Sequence, residues 1–331
     1  MSHHRTSRTD LSRYVAGMQK GSERYLARLI TLVESESESV PGIMRLIFAN
    51  LGRAVKIGIT GPPGAGKSTV IERLTREARD RKRGVGIVCV DPTSPFTGGA
   101  ILGDRIRMDR HYLDEGVYIR SMATRGRLGG IADATSSVSK LLDAFGKDLI
   151  FIETVGVGQT ETDILSIADL TVVVLVPEAG DSVQAMKAGL LEIADIFVVN
   201  KADRPGADNL ANELTAALHS REDKVGLDKP VLTVQAAHDV GMAELYEAIE
   251  KQVQSLRSSG IFKRRRVEQR RNEFIRIVET MVRSSLLSSV DEDAALRDFV
   301  GRVEQGIAEP YTAAGELLQN GSLIKALRGD G

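Results

Sequence analysis

"GITGPPGAGKST", residues 58–69, decides the fold, because it joins an apolar run to the start of a helical pattern through a glycine-rich loop. Residues 61–68 match G-x-x-x-x-G-K-[ST], the pattern of a phosphate-binding loop. Glycine lets backbone N–H groups curl around phosphate oxygens, and the start of the following helix favours an anion. The predicted nucleotide-binding residues here are Gly61, Pro62, Pro63, Gly64, Ala65, Gly66, Lys67, Ser68 and Thr69.

Two side chains of this loop are predicted to take part in the chemistry. The Lys67 ammonium is expected to bridge the outer phosphates, which makes it a predicted catalytic residue. The Ser68 hydroxyl is expected to bind Mg²⁺, a cation that prefers oxygen ligands and uses few from the protein.

Outward from this loop, short apolar runs alternate with helical patterns. The helical patterns lie at 67–82, 133–145, 182–193 and 207–219. Several of the apolar runs between them are apolar almost throughout, as in a sheet covered on both faces. The chain is therefore predicted to form an α/β fold, a doubly wound, mostly parallel sheet of the P-loop NTPase class. The predicted strands are AVKIGIT, GVGIVCV, GVYIRS, DLIFIE, LTVVVLV, DIFVVN and PVLTVQ.

Helical segments flank this sheet on both sides in the sequence. Residues 1–53 are predicted to form an N-terminal helical extension, residues 54–257 the nucleotide-binding domain, and residues 258–331 a C-terminal helical arm. The arm begins with a long charged helix, followed by two shorter helices that are separated at Pro310. Its basic run, 263–271, is expected to be a solvated helix face, with Val267 and Phe274 pointing inward.

A second motif, "VVNKAD", follows a later predicted strand and indicates which base is bound. Asn200-Lys201-Ala202-Asp203 matches the Asn-Lys-x-Asp pattern that reads guanine. A carboxylate at Asp203 can accept from both N1–H and N2–H₂ of guanine, and adenine offers neither, so GTP and GDP are the predicted ligands. After the last predicted strand, Gln235, Ala236 and Ala237 are expected to approach the base, with a backbone N–H of Ala236 or Ala237 donating to guanine O6.

Two carboxylates stand at the ends of predicted strands near the phosphates. Glu153 and Asp91 are predicted metal ligands, although for Asp91 a helix cap or a surface acid is the alternative. In "DLIFIETVGVGQTETDI", residues 148–164, Val157 stands where an ordinary G protein has its water-positioning glutamine. Gln159 follows two residues later and is a candidate for that role.

Composition narrows the remaining possibilities. Lys+Arg at 44 and Asp+Glu at 45 leave no overall charge for coating nucleic acid, so no nucleic-acid partner is expected. No apolar run approaches the roughly 20 residues that span a bilayer, so no membrane association is expected. The single cysteine, Cys89, fits a reducing compartment and reads as a small buried apolar residue, and the expected location is cytoplasmic.

These motifs together resemble one family, the MeaB/ArgK/MMAA-type P-loop GTPases that are associated with methylmalonyl-CoA mutase. The resemblance covers roughly residues 20–330, and its most specific parts are GDRIRM, SMATRG and ETVGVGQ in this order. Departures from the family pattern are Gln235, where a serine is usual, and Tyr246, where tryptophan is frequent.

The resemblance implies Mg²⁺-dependent GTP hydrolysis and a homodimer formed through the C-terminal arm. It implies a chaperone role for an adenosylcobalamin-dependent acyl-CoA mutase, in which the GTPase gates cofactor loading and protects the mutase. It adds Asp104 as a metal-site residue and Lys187 as a mobile, catalytically relevant lysine. Because Val157 cannot orient water, we expect slow hydrolysis by the free protein and faster hydrolysis with the mutase, through Gln159, Lys187 or a group of the partner.

Two other functions remain open from the sequence. An ArgK-type kinase would need a base for an acceptor hydroxyl, and it would have no use for guanine recognition. A metal-insertion GTPase would need a His- or Cys-rich metal store, whereas the chain has five histidines and one cysteine.

Overall fold

The computed structural model describes residues 8–35, 37–91, 111, 113–123, 130–154, 164–177, 191–220, 228–290 and 293–319. The chain divides into two compact units, Met1–Arg266 and Val267–Gly331, here called unit 1 and unit 2. None of the helices in the described part of the chain has the length and apolar character needed to cross a membrane.

A seven-stranded parallel sheet forms the centre of unit 1, which confirms the predicted fold class. Its order is β3-β2-β4-β1-β5-β6-β7, so the strand that precedes the phosphate-binding loop lies in the middle, paired with β4 and β5. All seven predicted strands are present. They are β1 (Val55–Thr60), β2 (Val85–Asp91), β3 (Val117–Ala123), β4 (Leu149–Glu153), β5 (Leu170–Leu175), β6 (Ile196–Val199) and β7 (Val231–Thr233).

Helices cover both faces of the sheet, as its almost wholly buried strands require. On one face, apolar side chains of α4 (Lys67–Asp80) and α7 (Met242–Ser258) pack against β1, β2 and β5 around Ile57, Ile71 and Leu245. The other α-helices described in unit 1 after β1 are α5 (Gly130–Phe145), α6 (Ala207–Ser220) and the start of α8 (Ile261–Val290).

The N-terminal extension packs against the other face. Its helices are α1 (Arg8–Gln19), α2 (Glu23–Glu34) and α3 (Val40–Ile47), and they share a buried cluster with α5, β2 and β4. Asp143 of α5 also ties down the connection into β1, since its carboxylate accepts the backbone N–H groups of Gly52, Arg53 and Ala54. The extension therefore belongs to the core of unit 1. The predicted three-part division of the chain stays a prediction.

Two arginines of the basic run 263–271 do not form the solvated face expected from the sequence. Arg266 makes a two-point ion pair with Asp169, which is fully buried, and also donates to the carbonyls of Gly52 and Ala54. Arg265 pairs in the same way with Asp195. The carboxylates require these partners because a buried charge without one is costly.

Unit 2 contains the rest of α8, then α9 (Ala294–Glu304) and α10 (Pro310–Gln319). The expectation that Val267 and Phe274 point inward is wrong, because their exposed fractions are 51% and 66%. The one buried side chain of α8 is that of Phe262, which lies in unit 1. None of the α8 side chains in unit 2 is buried.

Candidate functional site

The phosphate-binding loop occupies the turn between β1 and α4, at the carboxyl edge of the sheet. Gly61, Gly64 and Gly66 all have positive φ, at 139°, 75° and 89°. A Cβ at Gly61 would lie 2.0 Å from the Val174 carbonyl oxygen, and one at Gly66 would lie 2.4 Å from Asn200 Nδ2. Glycine is thus required at these two positions both by conformation and by close approach.

Lys67 opens α4 and turns back over the loop. Its Nζ is buried and donates to the carbonyl oxygens of Gly61, at 2.9 Å, and Pro62, at 3.1 Å. These bonds hold a positive charge against the loop backbone, where the N–H groups of the helix start also point. The loop therefore presents the cation and the backbone donors that a polyphosphate needs.

Ser68 and Glu153 meet at the end of β4, although they lie far apart in the sequence. The Ser68 hydroxyl donates to Glu153 Oε1 over 2.8 Å, and both side chains are buried. Glu153 Oε2 lies 3.8 Å from the Cys89 thiol on the neighbouring strand β2. A hydroxyl and a carboxylate at this spacing are hard oxygen ligands, so the pair fits a small divalent cation such as Mg²⁺.

The Asn-Lys-x-Asp segment follows β6 and is bonded to the phosphate-binding loop. Asn200 Nδ2 donates to the Ala65 carbonyl over 2.8 Å, and Lys201 Nζ donates to the Gly64 carbonyl over 2.8 Å. Lys201 has a φ of 57°, a left-handed conformation that is uncommon for this residue type. The segment that would read the base and the loop that would hold the phosphates are therefore fixed to each other.

The turn after β7 corrects one detail of the sequence interpretation. Ala236 N–H donates to Asn200 Oδ1 over 3.1 Å, so it is already used inside the protein. The next N–H, that of Ala237, has no hydrogen-bond acceptor within the described residues. Ala237 rather than Ala236 is therefore the donor that this turn can offer to a base oxygen.

Some of the remaining predicted site residues lie in the described part of the chain, and others lie outside it. Asp203 is exposed beyond Lys201, and Gln235 begins the turn after β7, so both lie at the edge where the loop and the Asn-Lys-x-Asp segment meet. Pro63 is exposed and Thr69 is partly buried in the first turn of α4. The side chain of Asp91, which ends β2, lies outside the described residues, as do Asp104, Gln159 and Lys187.

Two features of the site were missed by sequence reasoning. Cys89 was interpreted as an ordinary buried apolar residue, and its position opposite Glu153 depends on the register of β2 against β4. Arg73, in the second turn of α4, contacts the carbonyl oxygens of Ala236 and Ala237. Its only signal in the sequence is its place five residues after Ser68, on a helix rich in charged residues.

The fold and this site define a P-loop GTPase, which binds guanine nucleotide and hydrolyses GTP. The family model described as "Methylmalonyl Co-A mutase-associated GTPase MeaB" matches residues 26–293, and the chain belongs to this family. The family resemblance predicted from the sequence is thereby confirmed.

Individual relatives that cover between 76% and 96% of the chain support the same assignment. A GTPase-family protein of Pyrococcus abyssi is 49% identical over 305 residues, covering 91% of this chain and 94% of its own. The mouse "methylmalonic aciduria type A homolog, mitochondrial" is 33% identical over 268 residues, covering 76% of this chain and 65% of its own. The crystal structure of an LAO/AO transport system kinase superposes with a TM-score of 0.70 at 26% identity, covering 96% of this chain and 98% of that one.

Proposed function

We propose that this GTPase acts as a Mg²⁺-dependent chaperone of an adenosylcobalamin-dependent acyl-CoA mutase, with methylmalonyl-CoA mutase the first candidate. In this role it gates cofactor loading and protects the mutase from inactivation. The observation that carries the proposal is its membership of a family whose description names association with that mutase. The sequence has no D-x-H-x-x-G motif for cobalamin, so the cofactor belongs to the partner.

Guanine is read by two segments that the site geometry brings together. The Asp203 carboxylate accepts from N1–H and N2–H₂ of the base, and the stem of Lys201 lies over the ring. The Ala237 N–H donates to O6, with Gln235 and Ala236 shaping the turn. The bonds from Asn200 and Lys201 to the phosphate-binding loop support this arrangement, because they fix the distance between the base and phosphate subsites.

Ser68 and Glu153 would hold the metal ion, and the family resemblance adds Asp91 and Asp104 as further residues of the metal site. The hydrogen bond between Ser68 Oγ and Glu153 Oε1 supports this assignment, because it brings two oxygen ligands to one point beside the loop. When bound, Mg²⁺ offsets the negative charge that develops on the phosphate oxygens during hydrolysis.

Hydrolysis depends on Lys67 and on a group that orients the attacking water. Lys67 Nζ moves from the carbonyl oxygens of Gly61 and Pro62 to the outer phosphates. Because Val157 cannot orient water, Gln159, Lys187 or a group of the mutase takes that role. The free protein therefore hydrolyses GTP slowly, and the mutase complex accelerates it.

The protein acts as a homodimer through unit 2. Apolar side chains of α8 repeat at helical spacing on one side, and they are exposed in the single chain. A second copy of this helix would cover them. The residues concerned are Val267, Phe274, Val278 and Met281.

Turnover of GTP, measured with and without methylmalonyl-CoA mutase loaded with adenosylcobalamin, tests the proposal. The expected result is acceleration by about tenfold or more, as for GTPases that receive a catalytic group from a partner. Lys67→Ala, which removes the loop cation, is the inactive control. Equal rates with and without the mutase would refute the chaperone role and leave the GTPase assignment intact.

A nucleotide switch tests the base-reading part separately. Asp203→Asn replaces an acceptor by an amide, so it should weaken GTP binding and improve binding of xanthosine triphosphate, whose C2 carries an oxygen. Calorimetric titration of both nucleotides measures this, and unchanged preference would remove Asp203 as the base reader.

A further inference from the structure

Arg73 reaches from the second turn of α4 to the turn after β7. Its Nε lies 3.1 Å from the Ala236 carbonyl oxygen, and a terminal guanidinium nitrogen lies 3.3 Å from the Ala237 carbonyl oxygen. The side chain is only 14% exposed, so water competes little for these bonds. One guanidinium thus holds two consecutive carbonyl groups of the turn that offers an N–H to the base.

The geometry of the peptide unit connects these bonds to the base. The Ala236 carbonyl and the Ala237 N–H belong to the same planar trans peptide, in which C=O and N–H point in opposite directions. A donor that fixes the carbonyl oxygen on the α4 side therefore fixes the N–H on the other side. A cationic donor on the carbonyl also polarises the peptide, which makes its N–H a stronger donor.

Arg73 is itself held in place by a buried acid. Glu72 Oε2 lies 3.1 Å from Arg73 Nε, and the Glu72 side chain is only 8% exposed. His111, also buried, contacts the Glu72 backbone carbonyl through Nε2 at 3.2 Å. The guanidinium is thus fixed within the protein fold, with its charge balanced by Glu72.

We propose that Arg73 is a positioning residue for guanine recognition. It orients the Ala236–Ala237 peptide so that the Ala237 N–H points at guanine O6. The inference rests on the proposed function, in which the turn after β7 contacts the base. It adds that Arg73, on α4, sets the strength of that contact. Arg73 acts through the peptide and does not itself touch the nucleotide.

Arg76 provides a matched control on the same helix. It pairs with Asp239 just beyond the same turn, so it also ties α4 to this region. Its contact is with a side chain and not with the Ala236 or Ala237 carbonyls. Arg73→Met and Arg76→Met therefore remove the same charge from the same helix, but only the first releases the Ala236–Ala237 peptide.

The test compares GDP with 6-thio-GDP, in which a weakly accepting sulfur replaces O6 while N1–H and N2–H₂ remain. The dissociation constants of both ligands are measured by calorimetry on the full chain. The native protein and Arg76→Met should prefer GDP by about tenfold, the discrimination expected from one well-placed hydrogen bond. In Arg73→Met the preference should fall to about twofold, through weaker binding of GDP and little change for 6-thio-GDP.

Each outcome decides a different statement. No preference for GDP in the native protein would refute both the O6 contact in the proposed function and the role of Arg73. If the native protein prefers GDP and Arg73→Met keeps the same preference, the inference about Arg73 is overturned and the O6 contact stands. Equal weakening of GDP and 6-thio-GDP binding counts as the same result, because Arg73 would then only stabilise the structure. Glu72→Gln/Arg73→Met, which leaves no stranded carboxylate, is measured in parallel in case the single variant folds poorly, and the same readings apply to it.

Discussion

The two ends of the sheet use buried carboxylates in opposite ways. At the amino end, Asp169 and Asp195 precede β5 and β6, and each makes a two-point ion pair with an arginine at the start of α8. Each also accepts a backbone N–H, from Lys56 and Thr171 respectively. At the carboxyl end, Glu153 accepts from the Ser68 hydroxyl and lies beside the Cys89 thiol.

The donors named here differ in charge. The arginine that pairs with Asp169 or Asp195 neutralises that carboxylate, and removing either member of the pair leaves a buried charge. The Ser68 hydroxyl and the Cys89 thiol are neutral donors, and in the proposed function the Glu153 carboxylate binds the metal ion. Carboxylates of the first kind are expected to contribute mainly to stability, and Glu153 mainly to activity. Replacing these carboxylates should therefore lower the free energy of unfolding by different amounts.

Asp169→Asn should have the largest effect. Asp169 is fully buried, and the amide would present a donor to the Arg266 guanidinium while removing its counter-charge. The expected loss is about 3–5 kcal/mol in the free energy of unfolding, measured by urea denaturation. Glu316→Gln, which removes a half-exposed partner of Arg302, serves as the control and should change it by less than about 1 kcal/mol. Similar losses in the two variants would contradict the comparison.

Asp195→Asn should destabilise the protein less than Asp169→Asn. The Arg265 side chain is 33% exposed, against 17% for Arg266, so water can partly replace its lost partner. The expected loss is about 2 kcal/mol after this screening. The same denaturation experiment measures it, and a loss above that of Asp169→Asn would show that burial does not set the order.

The contribution of Asp114 to the free energy of unfolding should depend on pH. A two-point hydrogen bond from Arg79 lowers the pKa of the Asp114 carboxyl below its ordinary value, with a further contribution from the Gly116 N–H. A lowered pKa in the folded state stabilises the protein above the ordinary value of 3.8, and this contribution is lost as pH falls through the folded value.

Native protein and Asp114→Asn should therefore differ by less than about 1 kcal/mol at pH 7, since the carboxylate is 30% exposed. Their difference should shrink below about pH 4. Denaturation curves at both pH values measure this, and a gap that grows in acid would reverse the assigned sign.

Glu153→Gln should have the smallest effect on stability and a large one on activity. Gln keeps an oxygen that can accept from Ser68, so the free energy of unfolding should change by less than about 0.5 kcal/mol. GTP hydrolysis should fall by about 100-fold or more, because Gln lacks the negative charge that, in the proposed function, binds the Mg²⁺ ion. Thr154→Val, at the same strand end but bonded to Thr60, should retain most of the activity. Retained hydrolysis in Glu153→Gln would place the metal elsewhere.

Most of the fold could be predicted because its signal is local. The strands of the sheet are nearly continuous apolar runs, and the phosphate-binding loop has a fixed residue pattern. The sequence could not show whether Ala236 or Ala237 offers its N–H to the base. The answer depends on the Asn200 side chain, which accepts the Ala236 N–H once β6 and β7 have paired. The roles of Arg265 and Arg266 also could not be predicted, because in the sequence they look like the other basic residues of the run. Only the folded structure brings Asp195 and Asp169 beside them.

The central position of β1 determines when the site can form during synthesis. Its two neighbours, β4 and β5, are far downstream, so β1 has no partner until Glu153 has been made, and its second edge is paired only when the chain extends through Leu175. Gly61 gains its contact with Val174 only then, and Ala237 arrives later still. Such distant pairings are slow to form because a long loop must close first. A nascent chain thus acquires tight binding of guanine nucleotide only when nearly all of unit 1 exists, and the nucleotide can stabilise that unit just as it is completed.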